Sequence, residues 1–238
     1  MEFFMEKDLT TGKITPQLIG FTIPLVLGNL FQLTYNAVDS IIVGRYVGKE
    51  ALAAVGICNP ISTLFILFLN GLCMGASILM GNQFGAKDYD RLHRQISTTM
   101  LSGIAFSLIL SVLCIVFARP ILLLMQVDAS IMGMTINYLR IIFAGLLFTF
   151  MYNCFASTLR ALGDSQSPLL FVLVACIVNV IGDLALVAGL HMDAAGAAIA
   201  TVSAQALSVV FAILLLIKKK LPFTITRHDF RFNPQCPK

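Results

Sequence analysis

The chain of 238 residues has little charge: Asp, Glu, Lys and Arg together make up 12% of it, and tryptophan is absent. A soluble domain ordinarily has about a quarter of its residues charged. Hydrophobic residues make up 58% of the chain, and most helical stretches are apolar on every side, so they have no polar face for water. Together these features exclude a water-soluble globular protein and indicate an integral membrane protein.

Sequence motifs for common enzyme and cofactor chemistry are also missing. No glycine-rich phosphate loop, HExxH motif or nucleophile elbow occurs. The six cysteines include no CxxC pair, and five of them lie in apolar segments, as small apolar side chains do. The three histidines fall in predicted loops or the tail. We therefore expect no enzyme, no cofactor and no metal site, apart from a site for a coupling ion such as Na⁺.

Six apolar stretches are long enough to cross a bilayer, which takes about 20 residues at a rise of about 1.5 Å each. The first lacks a small-residue cleavage site, which favours a retained helix over a signal peptide. We expect an all-α bundle of six transmembrane helices over 14–217, a cytoplasmic segment at 1–13 and a basic cytoplasmic tail at 218–238. The predicted spans are approximately 14–43, 51–80, 95–118, 131–159, 168–189 and 194–217.

The positive charges predict the orientation of these helices. With the amino terminus in the cytoplasm, only Arg45, Lys49, Arg119 and Arg140 of the 16 Lys and Arg residues fall on the outer side. Short cytoplasmic loops are enriched in Lys and Arg, so both termini are expected in the cytoplasm. The same topology explains the net charge of +4 without a nucleic-acid partner, because no basic stripe with interleaved aromatics occurs.

Two carboxylates, Asp39 and Asp183, lie well inside the predicted helices. An ionisable side chain in a membrane costs several kcal/mol, so one that is retained usually faces the bundle interior and marks an ion or substrate path. Both lie about five or six residues from an outer loop, roughly 8 to 9 Å deep, and are therefore predicted to share one site. Such a pair can hold Na⁺ through oxygen ligands, or a proton. The alternative is that each Asp is satisfied locally.

Polar stripes run along four of the six predicted helices at helical spacing. These stripes are predicted to face one another around the carboxylates, whereas the second and third helices are expected mainly to pack. The alternative is that the amides only join helices together. The stripes are Asn29, Gln32, Asn36 and Asp39 on the first helix, Thr149, Asn153 and Ser157 on the fourth, Asn179 and Asp183 on the fifth, and Thr201, Gln205 and Ser208 on the sixth.

Proline and glycine add two further predictions. Pro24 removes a backbone hydrogen bond inside the first helix, so it predicts a kink that acts either as a hinge or as a static bend. Gly71 and Gly75 form a GxxxG step, and small residues surround Gly196; both regions are expected to be close-packing surfaces.

The ordered polar and proline residues resemble the multidrug and toxin extrusion (MATE) family, specifically its prokaryotic DinF-like branch. The resemblance is carried by P-L-V-L-G-N-L-F-Q-L-T-Y-N-A-V-D from Pro24 to Asp39, A-L-A-A-V-G from Ala51, L-R-A-L-G-D-S-Q-S-P from Leu159 to Pro168, N-V-I-G-D from Asn179 to Asp183 and A-G-A-A-I-A-T from Ala195 to Thr201. It implies a multi-pass protein of a prokaryotic plasma membrane that exports cationic or amphipathic compounds in exchange for Na⁺ or H⁺.

The resemblance also implies roles for particular residues. Asp39 matches the protonation site proposed for that branch, and Pro24 the proline of its bent first helix. The amino-lobe cation site of the family implies ion binding by Tyr138, Asn179, Asp183 and Thr201. Gln32, Asn36, Asn153 and Gln205 are the polar residues expected to support that site. Family members have twelve helices in two lobes, so this chain is expected to correspond to the first lobe, with a second lobe or a homodimer partner completing the transporter.

Three other functions compete with the antiporter hypothesis. An intramembrane aspartyl protease would also use two carboxylates, but its Tyr-Asp and Gly-x-Gly-Asp patterns are not met, because Val38 precedes Asp39 and Val180 replaces the first Gly. A non-transporting subunit or truncation product is the second alternative. The third is a lipid-precursor flippase, whose cavity tends to be basic.

Overall fold

The computed structural model describes residues 14–218, and every regular element in that range is helical. Five elements are long and apolar enough to span a membrane, and a bent pair forms the sixth span. The predicted six-helix bundle is thus confirmed; the segments predicted at 1–13 and 219–238 lie outside the described residues. The elements are α1 Ile14–Tyr46, α2 Lys49–Gly85, α3 Tyr89–Leu124, α4 Ala129–Ala144, α5 Leu146–Ala161, α6 Gln166–Asp183, a π-helical turn Leu184–Gly189, and α7 Ala194–Lys218.

The turns between helices are shorter than the sequence predicts, because each helix continues into its charged flank. Each turn holds one residue of positive φ: Gly48, Lys87, Gln126, Gly163 or His191. After three of these residues the next amide donates to the carbonyl five residues earlier, for example Asp164 N to Leu159 O at 2.9 Å, and this closes the last helical turn. The following carboxylate then caps the next helix, as Asp128 does by accepting from Ser130 N at 2.8 Å.

The fourth span departs from the single continuous helix predicted over 131–159. It is bent by 43° between α4 and α5 at Gly145. A Cβ at Gly145 would lie 2.5 Å from Val202 Cγ2, so the missing side chain allows α7 to approach the chain at the bend. The apolar pattern alone could not predict this bend, because the contact at Gly145 is with Val202 of α7, 57 residues later in the sequence.

The buried core lies between α2, α3, α4 and α5. The Phe143 ring is fully buried and meets the Phe65 ring edge-on at 5.3 Å between centroids. Hydroxyl groups also join the helices, since Ser111 Oγ donates to Phe143 O and Ser208 Oγ to Phe171 O, each at 2.8 Å. Helix α1 contributes little to this core: only Gly28, Asp39, Ile42 and Val43 of its 33 residues are buried.

Two regions of small residues were predicted to be packing surfaces, and the structure separates them. Ala194, Ala197 and Ala198 are fully buried, and a Cβ at Gly196 would lie 2.8 Å from Met192 Cβ, so this region is close-packed as predicted. The prediction for the GxxxG step of α2 is wrong within the described chain, because a Cβ at Gly71 or Gly75 would meet no atom within 4 Å.

Candidate functional site

Asp39 of α1 and Asp183 of α6 have their carboxyl groups side by side, close enough to share a hydrogen bond. Asp39 is 8% exposed and Asp183 is fully buried. An ionised carboxylate only accepts hydrogen bonds, and neither oxygen of Asp183 nor Oδ1 of Asp39 has a donor. Two such neighbours in a low-dielectric interior repel each other unless a proton or a cation lies between them.

Asn179 and Thr201 lie beside this pair. Asn179 precedes Asp183 by one helical turn, and its Nδ2 donates to Thr201 Oγ1 of α7 at 3.2 Å. Its Oδ1 is buried and has no donor, so it adds a fourth acceptor oxygen to the three of the carboxylates. Hard oxygen ligands of this kind suit Na⁺, and the carboxylates also suit a proton.

The local backbone explains how α6 and α7 bring these side chains together. A Cβ at Gly182 would lie 3.0 Å from Ala200 Cβ, so the absence of a side chain at Gly182 permits the close approach of the two helices. Asp183 is also the last α-helical residue before the π-helical turn Leu184–Gly189. Single π turns within helices occur frequently at functional sites.

Tyr138 of α4 completes the wall on the opposite side. It is 4% exposed and lies in the electrostatic surroundings of both Asp39 and Asp183. A tyrosine near the end of a membrane helix is otherwise expected in the interfacial belt, and the structure places this one in the interior instead. All five residues of the predicted cation site are thus in one region; their role as ligands stays a prediction.

A cavity of about 410 Å³ opens beside this cluster, and we call it the acidic cavity because Asp39 is the single charged residue lining it in the described part of the chain. Asp39, Tyr138 and Thr201 line the cavity directly, whereas Asn179 and Asp183 lie behind the lining residues. Two of its lining residues are joined by a hydrogen bond, which Thr149 Oγ1 of α5 donates to Gln205 Oε1 of α7 at 2.6 Å. The four predicted supporting residues, Gln32, Asn36, Asn153 and Gln205, all line it as well.

Helix α2 also forms a wall of the acidic cavity, which corrects the prediction that it mainly packs. Its polar residues Asn59, Ser62, Thr63 and Asn70 line the cavity. Their spacing of three, one and seven residues marks one helical face, so the signal was present in the sequence. It was overlooked because the rest of the helix is strongly apolar. Helix α3 contributes no residue to either cavity described here, in keeping with the packing role predicted for it.

A second cavity, of about 590 Å³, continues from the first along α1, α2, α5 and α6. We call it the basic cavity, because Arg160 is the only charged residue that lines it among residues 14–218. Pro24 also lines it, within an α1 that remains one helix from Ile14 to Tyr46. The hinge role of Pro24 stays a prediction. The two cavities share the lining residues Gln32, Asn70, Tyr152, Asn153 and Val172.

The helix arrangement agrees with the comparisons to known proteins. The MatE family model matches residues 24–185, which is more than half of the chain. This chain belongs to the MatE family. Among its curated relatives, the probable multidrug resistance proteins YoeA and YpnP of Bacillus subtilis (strain 168) are 32% identical over 240 residues and 30% identical over 221 residues.

This MatE family chain spans about half the length of those relatives: the alignments cover 98% of the chain and 52% of YoeA, and 92% of the chain and 50% of YpnP. A solved MATE structure, in complex with MaD3S, superposes with a TM-score of 0.89 at 23% identity, over 97% of this chain and 52% of the solved one. The fold is therefore that of one MATE lobe. The matching proteins are transporters rather than enzymes, and the chain is a multi-pass membrane protein whose surroundings are the lipid bilayer.

Proposed function

We propose that this chain is the ion-binding lobe of a secondary antiporter that exports cationic or amphipathic compounds in exchange for Na⁺ or H⁺. The observation that carries the proposal is the cluster of four buried acceptor oxygens without donors, on Asp39, Asp183 and Asn179. A proton or Na⁺ is the group that such a cluster binds. Export by the whole protein, with a second six-helix lobe or a second copy of the chain, is part of the proposal.

Asp39 links the ion to the exported compound. It lines the acidic cavity, and its carboxyl group lies beside that of Asp183. A cationic ligand in the cavity is attracted by the negative charge of Asp39, and an ion bound between the carboxylates neutralises the same charge. Ion and ligand therefore compete for one carboxylate, which is the requirement for exchange rather than co-transport.

Helix α1 is the element proposed to move during exchange. It carries Asp39 and Pro24 and buries only four of its 33 residues, so a change in its curvature disrupts few core contacts. Proline inside a helix removes one backbone hydrogen bond, which makes Pro24 the proposed hinge. By the positive-inside rule both termini lie in the cytoplasm of a prokaryotic cell, and the basic cavity then opens toward the inner side.

Equilibrium binding of radiolabelled tetraphenylphosphonium, a permanent cation, to the purified chain in dodecyl maltoside tests the competition. For the unmodified chain, we expect added Na⁺ or a fall in pH to lower the affinity. Asp39→Asn is expected to weaken binding at least about tenfold, about 1.4 kcal/mol, because the attracting charge is lost. Asp183→Asn is expected to retain binding but to lose the dependence on Na⁺, because one of the two carboxylates of the ion site is gone.

Asp90→Asn serves as the matched control, since Asp90 is an exposed acid at the start of α3 and lines neither cavity. It should bind tetraphenylphosphonium as the unmodified chain does. Binding that is insensitive to Na⁺ and to pH in the unmodified chain, or that is unchanged in Asp39→Asn, would contradict the proposed exchange and favour a non-transporting membrane subunit.

A further inference from the structure

Arg160 lies in a setting that the exchange of cations does not use. It is the penultimate residue of α5, is half-buried, and is the single charged side chain among the described residues that line the basic cavity. An arginine side chain keeps its positive charge under all ordinary conditions. A cation-selective passage gains nothing from a fixed positive charge on its wall, because that charge repels the ligand.

No carboxylate in the described part of the chain neutralises Arg160. The one ion pair found within residues 14–218 joins Arg91 to Asp88. The acid nearest to Arg160 in sequence, Asp164, is engaged with the start of α6: its Oδ1 accepts from Gln166 N and Ser167 N, and its Oδ2 from Ser167 Oγ at 2.6 Å. Within residues 14–218, Arg160 therefore lacks the charged neighbours expected of a structural arginine, and its electrostatic surroundings there are the phenol of Tyr152 and the thiol of Cys73.

The rest of the basic cavity supplies neutral hydrogen-bonding groups and apolar surface. Amides and hydroxyls line it at Asn29, Asn153, Ser77 and Ser165. Aliphatic and aromatic side chains form the remaining wall, at Phe21, Leu25, Met74, Ile78 and Leu169. A volume of about 590 Å³ is within the range of pockets that enclose drug-sized ligands.

We propose that the basic cavity binds the oxyanion group, a carboxylate or phosphate, of an amphipathic ligand through the guanidinium of Arg160, with the apolar part of the ligand against α1, α2 and α6. The planar guanidinium matches the geometry of carboxylate and phosphate and binds them through two parallel hydrogen bonds. The oxyanion belongs either to the headgroup of an anionic lipid or to a free ligand. This site does not depend on the exchange at Asp39.

Thermal unfolding of the purified chain in dodecyl maltoside tests the site in two arms. In the first, phosphatidylglycerol is compared with phosphatidylcholine; in the second, potassium phosphate is compared with potassium chloride at equal K⁺ concentration and pH 7. At saturation we expect the Tm to rise by about 2 to 4 °C with the bound anion. Arg160→Gln should abolish the rise. Arg140→Gln, which removes an exposed arginine of α4 that lines neither cavity, should retain it.

The two arms identify the source of the oxyanion. A rise with phosphatidylglycerol alone assigns the site to a lipid headgroup, and a rise with phosphate as well assigns it to free oxyanions. No rise in either arm, or an equal rise in Arg160→Gln, overturns the proposal. Asp39→Asn should leave the anion response unchanged, so failure of this site and failure of the cation exchange give different results.

A measurement on the unmodified chain avoids any folding defect of the variants. Phenylglyoxal modifies accessible arginines, and mass spectrometry reports the extent at each one. We expect phosphatidylglycerol or phosphate to slow the modification of Arg160 at least several-fold while leaving that of Arg140 unchanged. Equal rates at Arg160 with and without the anion would contradict the proposed site.

Discussion

The acidic and basic cavities share five lining residues, yet each has one charged side chain, and the two charges are opposite in sign. Behind Asp39 of the acidic cavity lies a second carboxylate, Asp183, whose like charge makes an intervening ion favourable. Near Arg160 of the basic cavity, the described residues supply neutral groups, the phenol of Tyr152 and the thiol of Cys73. A paired charge thus favours binding of a small ion, whereas a single unpaired charge is available to a ligand.

The largest expected effect comes from separating α6 and α7 at the acidic cavity. Gly182→Leu places a side chain where even a Cβ would lie 3.0 Å from Ala200 Cβ, so the helices must move apart and Asn179 loses Thr201. We expect a loss of stability of about 1 to 3 kcal/mol and loss of the stabilisation by Na⁺, while the response to phosphatidylglycerol persists. Thermal unfolding with and without Na⁺ measures both.

Gly71→Leu is the control for this change, because a Cβ at Gly71 meets no atom within 4 Å. It should alter neither stability nor the Na⁺ response of the chain. If Gly182→Leu removed the anion response as well, the two cavities would not be separable and the comparison between them would fail.

An intermediate effect is expected where the cavities join. Asn70 of α2 lines both, so Asn70→Leu removes a polar group from each. We expect the affinities for tetraphenylphosphonium and for phosphatidylglycerol each to fall a few-fold, about 1 kcal/mol. Titrations of both ligands on the same variant check this. A change confined to one ligand would show that Asn70 serves one cavity alone.

The smallest effect is expected at Asp128, a fully exposed carboxylate outside the membrane spans. Hydrogen bonds from the Ser130 backbone and side chain hold the pKa of Asp128 below its ordinary value of 3.8. A lowered pKa in the folded state means that the stabilisation is present above about pH 4 and is lost as the pH falls through the folded value. Asp128→Ala should therefore lower the Tm slightly at pH 7.

The Tm difference between Asp128→Ala and the unmodified chain should shrink below about pH 4. Unfolding scans between pH 3 and pH 7 measure it, and a difference that is independent of pH would disagree with a charged cap. The result sharpens the comparison of the cavities, because it separates the acid response of an exposed cap from that of Asp39 and Asp183.

Much of the candidate site could be predicted from helical spacing and depth. Asp39 and Asp183 lie at similar distances from the loops that follow their helices, and the structure places their carboxyl groups side by side. Asn36, Asn153 and Gln205 each belong to a polar stripe with spacings of three or four along their own helix, and all three line one cavity. Tyr138 required the family resemblance, since spacing does not separate an interior tyrosine from an interfacial one.

Other parts of the site could not be obtained from local pattern. From the sequence, Arg160 is predicted to be an ordinary charged residue of a turn. Its position on a cavity wall depends on how α5 packs against α1, α2 and α6. The spacing of the four polar residues of α2 places them on one helical face. Whether that face lines a cavity depends on how the other helices pack, and here α1 leaves it open.

The sequence by itself determined that the chain lies in a membrane, that it crosses it six times, and that two carboxylates lie at one depth. These follow from composition and from the rise of the helix, which are local properties. The tertiary structure alone decided the bend at Gly145, the close approach at Gly182, and the division of the interior into an acidic and a basic cavity. Each of these depends on contacts between helices distant in sequence. At Gly145 and Gly182, the absence of a Cβ lets the neighbouring helix approach closely.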